Sequence, residues 1–303
     1  MHPSVVKHQR LPVSHLLLVL LVMGIWGTNF VFMRWAVDLV PPITFATLRF
    51  ATVSLCLVLV VPRPRVPTRL LLGYGLFSFF SQFALLFGAI AAGMPAGLAS
   101  LVIQSQVFFT LLFAVLWYSE RPHLVQIVGV CLGLLGIGVV ALDLGQTTSL
   151  LGFFMTVAAA ASWASGNMFI KAMGQTAAVP MVTWGSLIAA IALLPLSLVL
   201  EGTAGWQAAW VSLTDPSLLL WVCLLVNAFG ASLIGYSGWS WLLRRHPASQ
   251  VAPFTLLVPV FGLGSSALLL GETLSPAKWL GIGLVFLGLA LIQAKPGRTN
   301  DAG

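Results

Sequence analysis

Apolar residues in this chain neither alternate nor form stripes; they continue for about twenty positions at a time, broken by short clusters of proline, glycine and charge. A membrane-spanning helix needs about 20 mostly apolar residues, and ten runs meet or approach that length. They cover 13–36, 42–61, 70–92, 94–117, 123–142, 149–172, 179–200, 217–243, 247–270 and 275–294. Asp215-Pro216 and Ser275-Pro276 each set a capping residue before a proline that can open a helix. The connections are short, and the longest, 201–216, reads as a loop too small for a soluble domain. The pattern predicts an all-α integral membrane protein of about ten transmembrane helices.

Composition narrows this to a chain dissolved in lipid. Of 303 residues, 59% are hydrophobic and 7% charged, against about a quarter charged in soluble domains. The net charge of +7 does not indicate nucleic acid, because the basic residues lie between apolar runs rather than along one face. Lys7, Arg10, Arg63, Arg65, Arg69, Arg121, Lys171, Arg244, Arg245, Lys295 and Arg298 fall on one side of a ten-span arrangement. Only Arg34 and Lys278 fall on the other, together with Asp38, Asp143, Glu201, Asp215 and Glu272. The positive-inside bias therefore puts both termini in the cytoplasm. The first run has no small-residue cleavage site at signal-peptide length and is expected to remain as a helix. Cys56, Cys131 and Cys223 sit inside apolar runs without metal-ligand spacing and read as small buried hydrophobes.

The two halves match at a constant offset of 152. Pro95-Ala96 corresponds to Pro247-Ala248, Phe109 to Phe261, Glu120 to Glu272, Gly129 to Gly281 and Leu135-Gly136 to Leu287-Gly288. Trp26 with Arg34 likewise corresponds to Trp163 with Lys171. Five helices per copy is an odd number, so the second copy must enter the membrane from the opposite face, as in the inverted repeats of secondary transporters. The alternative is a duplicated bundle with no transport role. The expected organisation is a tail over 1–12, repeats over 13–142 and 149–294, and a tail over 295–303. Gly129-x-x-x-Gly133 has Val285 in place of its second glycine in the other half and reads as helix packing.

Several segments carry a more specific likeness: Trp26-Gly27-Thr28-Asn29-Phe30, Pro41-Pro42 ahead of Leu48-Arg49-Phe50, the stretch from Gly93 through Gln104 to Thr110, and the stretch from Val251 through Gly262 to Glu272. On these the chain resembles, over essentially its whole length, the EamA family of the drug/metabolite transporter superfamily, and within it the bacterial exporters of O-acetylserine and cysteine. The resemblance implies ten helices in two inverted repeats around a central cavity, no cofactor, and export of a small zwitterionic metabolite across the bacterial inner membrane. Aromatic amino acids or amphipathic cations are alternative cargoes. A non-transporting membrane subunit is a further alternative, and the oligomeric state stays open between monomer and homodimer.

Polar side chains in hydrocarbon are costly and turn towards a cavity or another helix. Trp163, Asn167 and Lys171 are spaced to share one helical face, and Trp26, Asn29 and Arg34 repeat the arrangement. Ser78 and Gln82 form a polar stripe on the third run, and Ser100 and Gln104 share a face of the fourth, with Gln106 turned roughly 160° from Gln104 at 3.6 residues per turn. The eighth run carries Asn227 and Trp239 on one side and Ser232, Tyr236 and Ser240 on another. Trp26, Asn29, Ser78, Gln82, Ser100, Gln104, Trp163, Asn167, Tyr236 and Trp239 are thus candidates for a substrate pathway, with interhelical bonding as the competing role. Arg34, Arg49 and Lys171 are candidates for a charged gate or anion contact. Arg49, about 10 Å along its helix, either reaches out to the interface or meets a substrate carboxylate. There is no nucleotide-binding loop and no metal or nucleophile constellation, so the sequence reads as neither an ATP-driven pump nor an enzyme. No carboxylate falls within a span to act as a proton relay; that role would pass to Glu120 or Glu272 at helix ends.

Overall fold

A computed structural model describes residues 11–119, 122–142, 149–174, 176–246 and 251–293. Most of both tails, Glu120, Arg121, Asp143 and the Pro247-Ala248 pair lie outside the described residues. Eleven helices follow one another among those described: α1 (Val13–Leu39), α2 (Pro42–Leu57), α3 (Thr68–Ala91), α4 (Ala96–Tyr118), α5 (Leu124–Leu142), α6 (Leu150–Met173), α7 (Ala178–Leu200), α8 (Gly202–Thr214), α9 (Leu219–Arg245), α10 (Ala252–Leu270) and α11 (Pro276–Gln293). Eight of these are long and apolar enough to cross a bilayer, and α2 and the Phe254–Leu270 part of α10 are shorter apolar helices. The chain is an all-α membrane protein. Its outer surface is apolar: Leu142, Leu268, Val199 and Leu59 are all largely exposed, as they would be to lipid. Among the described residues its buried polar side chains are Asn, Gln, Ser and Thr, with Arg49 and, at the start of α11, Lys278.

The halves pack reciprocally. α1 lies on α10 and α9, and its counterpart α6 lies on α4 and α3, while α2 pairs with α7 and α5 with α11. The α5–α11 crossing shows the principle best. Gly129 meets Gly288, and Gly136 meets Gly281; each contact is the other carried across by 152 residues. The pairing of early with late positions makes the two helices antiparallel. A Cβ on Gly288 would lie 2.5 Å from the Gly129 carbonyl oxygen, and one on Gly136 2.6 Å from that of Gly281. Backbones cannot yield as side chains can, so glycine is required here.

The irregularities of the helices also recur. α3 is π-helical over Leu76–Ser81 and α9 over Val226–Gly235. α4 has a 3₁₀ turn at Ile103–Ser105, and α10 opens with one at Ala252–Leu256. α4 ends on Ser119 and α10 on Gly271, both left-handed (φ 54° and φ 66°).

Two helix starts are capped from a distance. Pro42 opens α2 without an N–H, and the next two amides, of Ile43 and Thr44, both donate to the Glu201 carboxylate at 2.7 Å. The α4 amides of Ala96 and Gly97 donate to Glu272 at 2.7 and 2.9 Å. These charged bonds satisfy amides that a helix start leaves open and meet its positive end. Glu272 is therefore more than a charge beside a turn. The segment read as a loop over 201–216 is largely the helix α8, whose Trp206 donates to Ser197 Oγ at 3.1 Å while Trp210 and Val211 face outward. Its 13 residues are too few, and too broken by glycine, to register as an apolar run. Asp215 does not cap α9: it accepts from Ser217 N at 2.7 Å in a local turn, and α9 starts at Leu219. Ser275 does accept from Lys278 N at 3.2 Å at the start of α11.

Substituting leucine for Gly136 or Gly288 is expected to destabilise the folded protein by about 1–3 kcal/mol, the usual cost of overpacking. Alanine at Gly138 or Gly283, where nothing lies within 4 Å of the added carbon, is expected to be neutral or slightly stabilising. Thermal unfolding in detergent distinguishes the two; equal effects at both pairs would contradict the crossing.

Candidate functional site

A cavity of about 680 Å³ lies between the two halves, within the range of small-molecule sites. Its walls come from α1, α2, α3, α4, α6, α7, α9, α10 and the end of α11. It extends to the end of the bundle formed by Ala114, Met173, Gly174, Thr176, Ala178 and Gln293. Among the described residues, none of the connections at the opposite end, where Glu201 and Glu272 sit, borders it.

One wall is aromatic. The Trp26 ring lies 5.5 Å from that of Tyr236 and 5.9 Å from that of Trp239, and its Nε1 donates to Ala231 O at 3.0 Å. Near the accessible end, Asn167 Nδ2 donates to Gln106 Oε1 at 3.2 Å and Thr110 Oγ1 at 3.1 Å, with Trp163 one turn away. Gln104 reaches across to Thr255 O at 3.3 Å. Both glutamines border the cavity, so packing does not exclude either. Gln104 bonds α10 and Gln106 bonds α6, so α4 meets a different helix on each side.

Deeper in lies Arg49, which is only 1% exposed. It does not reach the interface. Nη1 donates to Asn227 Oδ1 and Nη2 to Ser232 Oγ, both at 3.0 Å. Its guanidinium lies 4.1 Å from the Phe83 ring centroid and 5.2 Å from that of Phe50. Ser232 in turn donates to Asn227 O at 3.0 Å, and Asn227 Nδ2 to Cys223 O at 2.9 Å. Regular α-helical spacing separates Asn227 from Ser232. The π-helical stretch, with its i→i+5 bonding, stacks them and supplies both partners of Arg49. The 3.6-residue period could not reveal this; the only local hint is the run of small residues through Gly230, Ala231 and Gly235.

Trp26, Asn29, Arg49, Gln82, Gln104, Trp163, Asn167, Tyr236 and Trp239 border the cavity. Ser78 and Ser100, expected on the pathway, do not. Ser78 is buried against Gly166; Ser100 bonds Gly97 O at 2.6 Å and packs against Gly262. Arg34 is paired with Asp38 at 2.7 Å outside the cavity, and Lys171 lies over the Tyr118 ring at 4.2 Å. Phe83, Gln106 and Thr110 are cavity residues that the sequence reading did not single out as such. Among the described residues no cluster of three or more His, Cys, Asp or Glu could hold a metal ion.

Comparison with known proteins agrees with this architecture. The chain is 44% identical over 278 residues to a probable amino-acid metabolite efflux pump of Escherichia coli (strain K12), covering 90% of this chain and 92% of the relative. It is equally similar to a protein of the same description from Salmonella typhimurium. It is 28% identical to the uncharacterized transporter YvbV of Bacillus subtilis (strain 168), over 92% of this chain and 91% of that one. A crystal structure 21% identical in sequence superimposes with a TM-score of 0.58, covering 96% of this chain and 99% of the other, and so shares the fold. The profile of the EamA-like transporter family matches residues 13–142 and 150–294, and the chain belongs to that family.

Proposed function

We propose that this protein exports small amino-acid-like metabolites, of the O-acetylserine and cysteine type, across the bacterial inner membrane by alternating access. The observation that carries the reading is the cavity itself, lodged between reciprocally packed halves, accessible from one end and lined by amides and aromatic rings. The efflux role named for the 44% identical relatives supports it. The basic residues favour a cytoplasmic location for both termini and for the accessible end. Aromatic amino acids are a second reading, favoured by the wall of Trp26, Tyr236 and Trp239. Amphipathic cations fit poorly, because Arg49 places a fixed positive charge in the cavity.

In this reading the two remote caps hold the outer end shut, and opening there means pulling Glu272 from the Ala96 and Gly97 amides. Burial raises the Glu272 carboxyl pKa above its ordinary value, opposed by those amides and by the charges of Arg34 and Lys278. The sign follows from linkage. The closed state, with the higher pKa, takes up protons that an open, hydrated carboxyl gives back. Acid outside thus favours closure between the carboxyl's ordinary and raised values, and the effect is lost at higher pH, where both states are ionised.

Purified protein in liposomes is expected to give saturable flux of labelled O-acetyl-L-serine or L-cysteine. Trp163→Ala and Asn167→Ala should lower that flux about tenfold, or roughly 1.4 kcal/mol, with folded yield unchanged. No flux across a panel that includes phenylalanine and tryptophan would refute the reading. Equal loss of flux and folded protein would assign this face to packing.

Ser266 lies buried beside Gly97 and reports on the outer end. A cysteine there should react slowly with an impermeant maleimide applied outside, and more slowly as external pH falls. Glu272→Ala should speed labelling about tenfold, since leaving the buried Ala96 and Gly97 amides without an acceptor costs about 1–3 kcal/mol, and should flatten the pH dependence. Faster labelling in acid, or none of these changes, would contradict the latch.

A further inference from the structure

Buried polar atoms without hydrogen-bond partners are rare, and each requires an explanation. Four border the cavity, and three of them, besides Gln293 Oε1 near its accessible end, form a complementary set. Arg49 Nε is a donor; Asn29 Oδ1 and Gln82 Oε1 are acceptors; all are buried and unpartnered. They come from α2, α1 and α3, and all three residues line the same cavity. Gln82 directly precedes Phe83, whose ring lies against the Arg49 guanidinium.

A guanidinium has five N–H donors, and Arg49 commits one each to Asn227 and Ser232. Both partners are neutral. They and the two phenylalanine rings orient the charge without cancelling it, and among the described residues no carboxylate is within ion-pair distance. A charge kept inside a membrane bundle is costly. If its only role were to join α2 to α9, a neutral amide could make the same two bonds. A fixed cation with spare planar donors is instead suited to a carboxylate, which it can grip in fork geometry.

Resting on the transport reading above, we propose that Arg49, Asn29 and Gln82 form a recognition site for the α-amino acid head group. Arg49 takes the carboxylate, and the amide oxygens of Asn29 and Gln82 take the ammonium. Cargo side chains then extend into the rest of the cavity, along the aromatic wall or towards Asn167. Selection is thus strict for the carboxylate and loose for the side chain.

The test compares matched pairs on the full-length protein in detergent: O-acetyl-L-serine, L-cysteine, L-leucine and L-phenylalanine, each beside its methyl ester. Ligand-dependent thermal stabilisation reports an apparent Kd for each. At least one acid is expected to bind about tenfold or more tightly than its ester, the ester having lost one charge-assisted contact. Arg49→Gln should bring acid and ester to the same affinity, whereas Arg49→Lys should keep part of the preference. Equal binding of acid and ester by the unaltered protein, binding of neither, or a preference that survives in Arg49→Gln would each overturn the proposal. Because the ester comparison needs no substitution, a variant that fails to fold leaves the test standing. Flux in liposomes without any preference for the acid would overturn this site alone; absence of both flux and binding would overturn the transport reading with it.

Discussion

A guanidinium buried among helices without a carboxylate partner constrains everything around it. Desolvating such a charge costs several kcal/mol, and the protein offsets this with an amide, a hydroxyl and two aromatic faces rather than with a counter-ion. A cation–π contact with a desolvated charge contributes about 2 kcal/mol, and each hydrogen bond to a charged group about 1.5–3 kcal/mol. To deliver Asn227 and Ser232 to one guanidinium, α9 leaves regular α-helical geometry for ten residues. To keep the rings of Phe50 and Phe83 in place, α2 and α3 pack closely through Phe79 and Phe87. The result is a cavity wall that carries a positive charge held by these partners.

Much of the fold was legible in the chain because lipid imposes a simple rule. Every backbone group must be paired within its own helix, so spans register as unbroken apolar runs, and all ten runs correspond to apolar helices. The 152-residue offset has a physical counterpart: glycines at a close crossing leave no room for a side chain, and Gly129 and Gly136 meet Gly288 and Gly281. What could not be read lies where local geometry departs from the period. The π turn of α9 brings Ser232 alongside Asn227, where both bond Arg49. Glu201 and Glu272 cap helices more than 150 residues away in sequence, a contact no local pattern encodes. Snorkelling was a fair expectation for Arg49 from its position along α2; only the packing of α9 against that helix puts it inside.

Under the proposed alternating access, the π-helical stretch, 3₁₀ turn and left-handed cap found in each half would give a rearrangement at one end a counterpart at the other. In such a scheme the Arg49 site stays near the middle while access changes around it, as expected when a binding site lies at the interface between repeats.

The distance between bound carboxylate and guanidinium tests this account most directly. Solid-state NMR can measure it between carboxyl-¹³C O-acetyl-L-serine and guanidino-¹⁵N arginine in lipid-reconstituted protein, with Arg49→Lys as the control. Charge-assisted hydrogen bonds near 2.8 Å place the two nuclei about 4 Å apart, and the dephasing that reports this should vanish in the control. Bound ligand whose carboxyl carbon shows no dephasing from Arg49 would contradict the account.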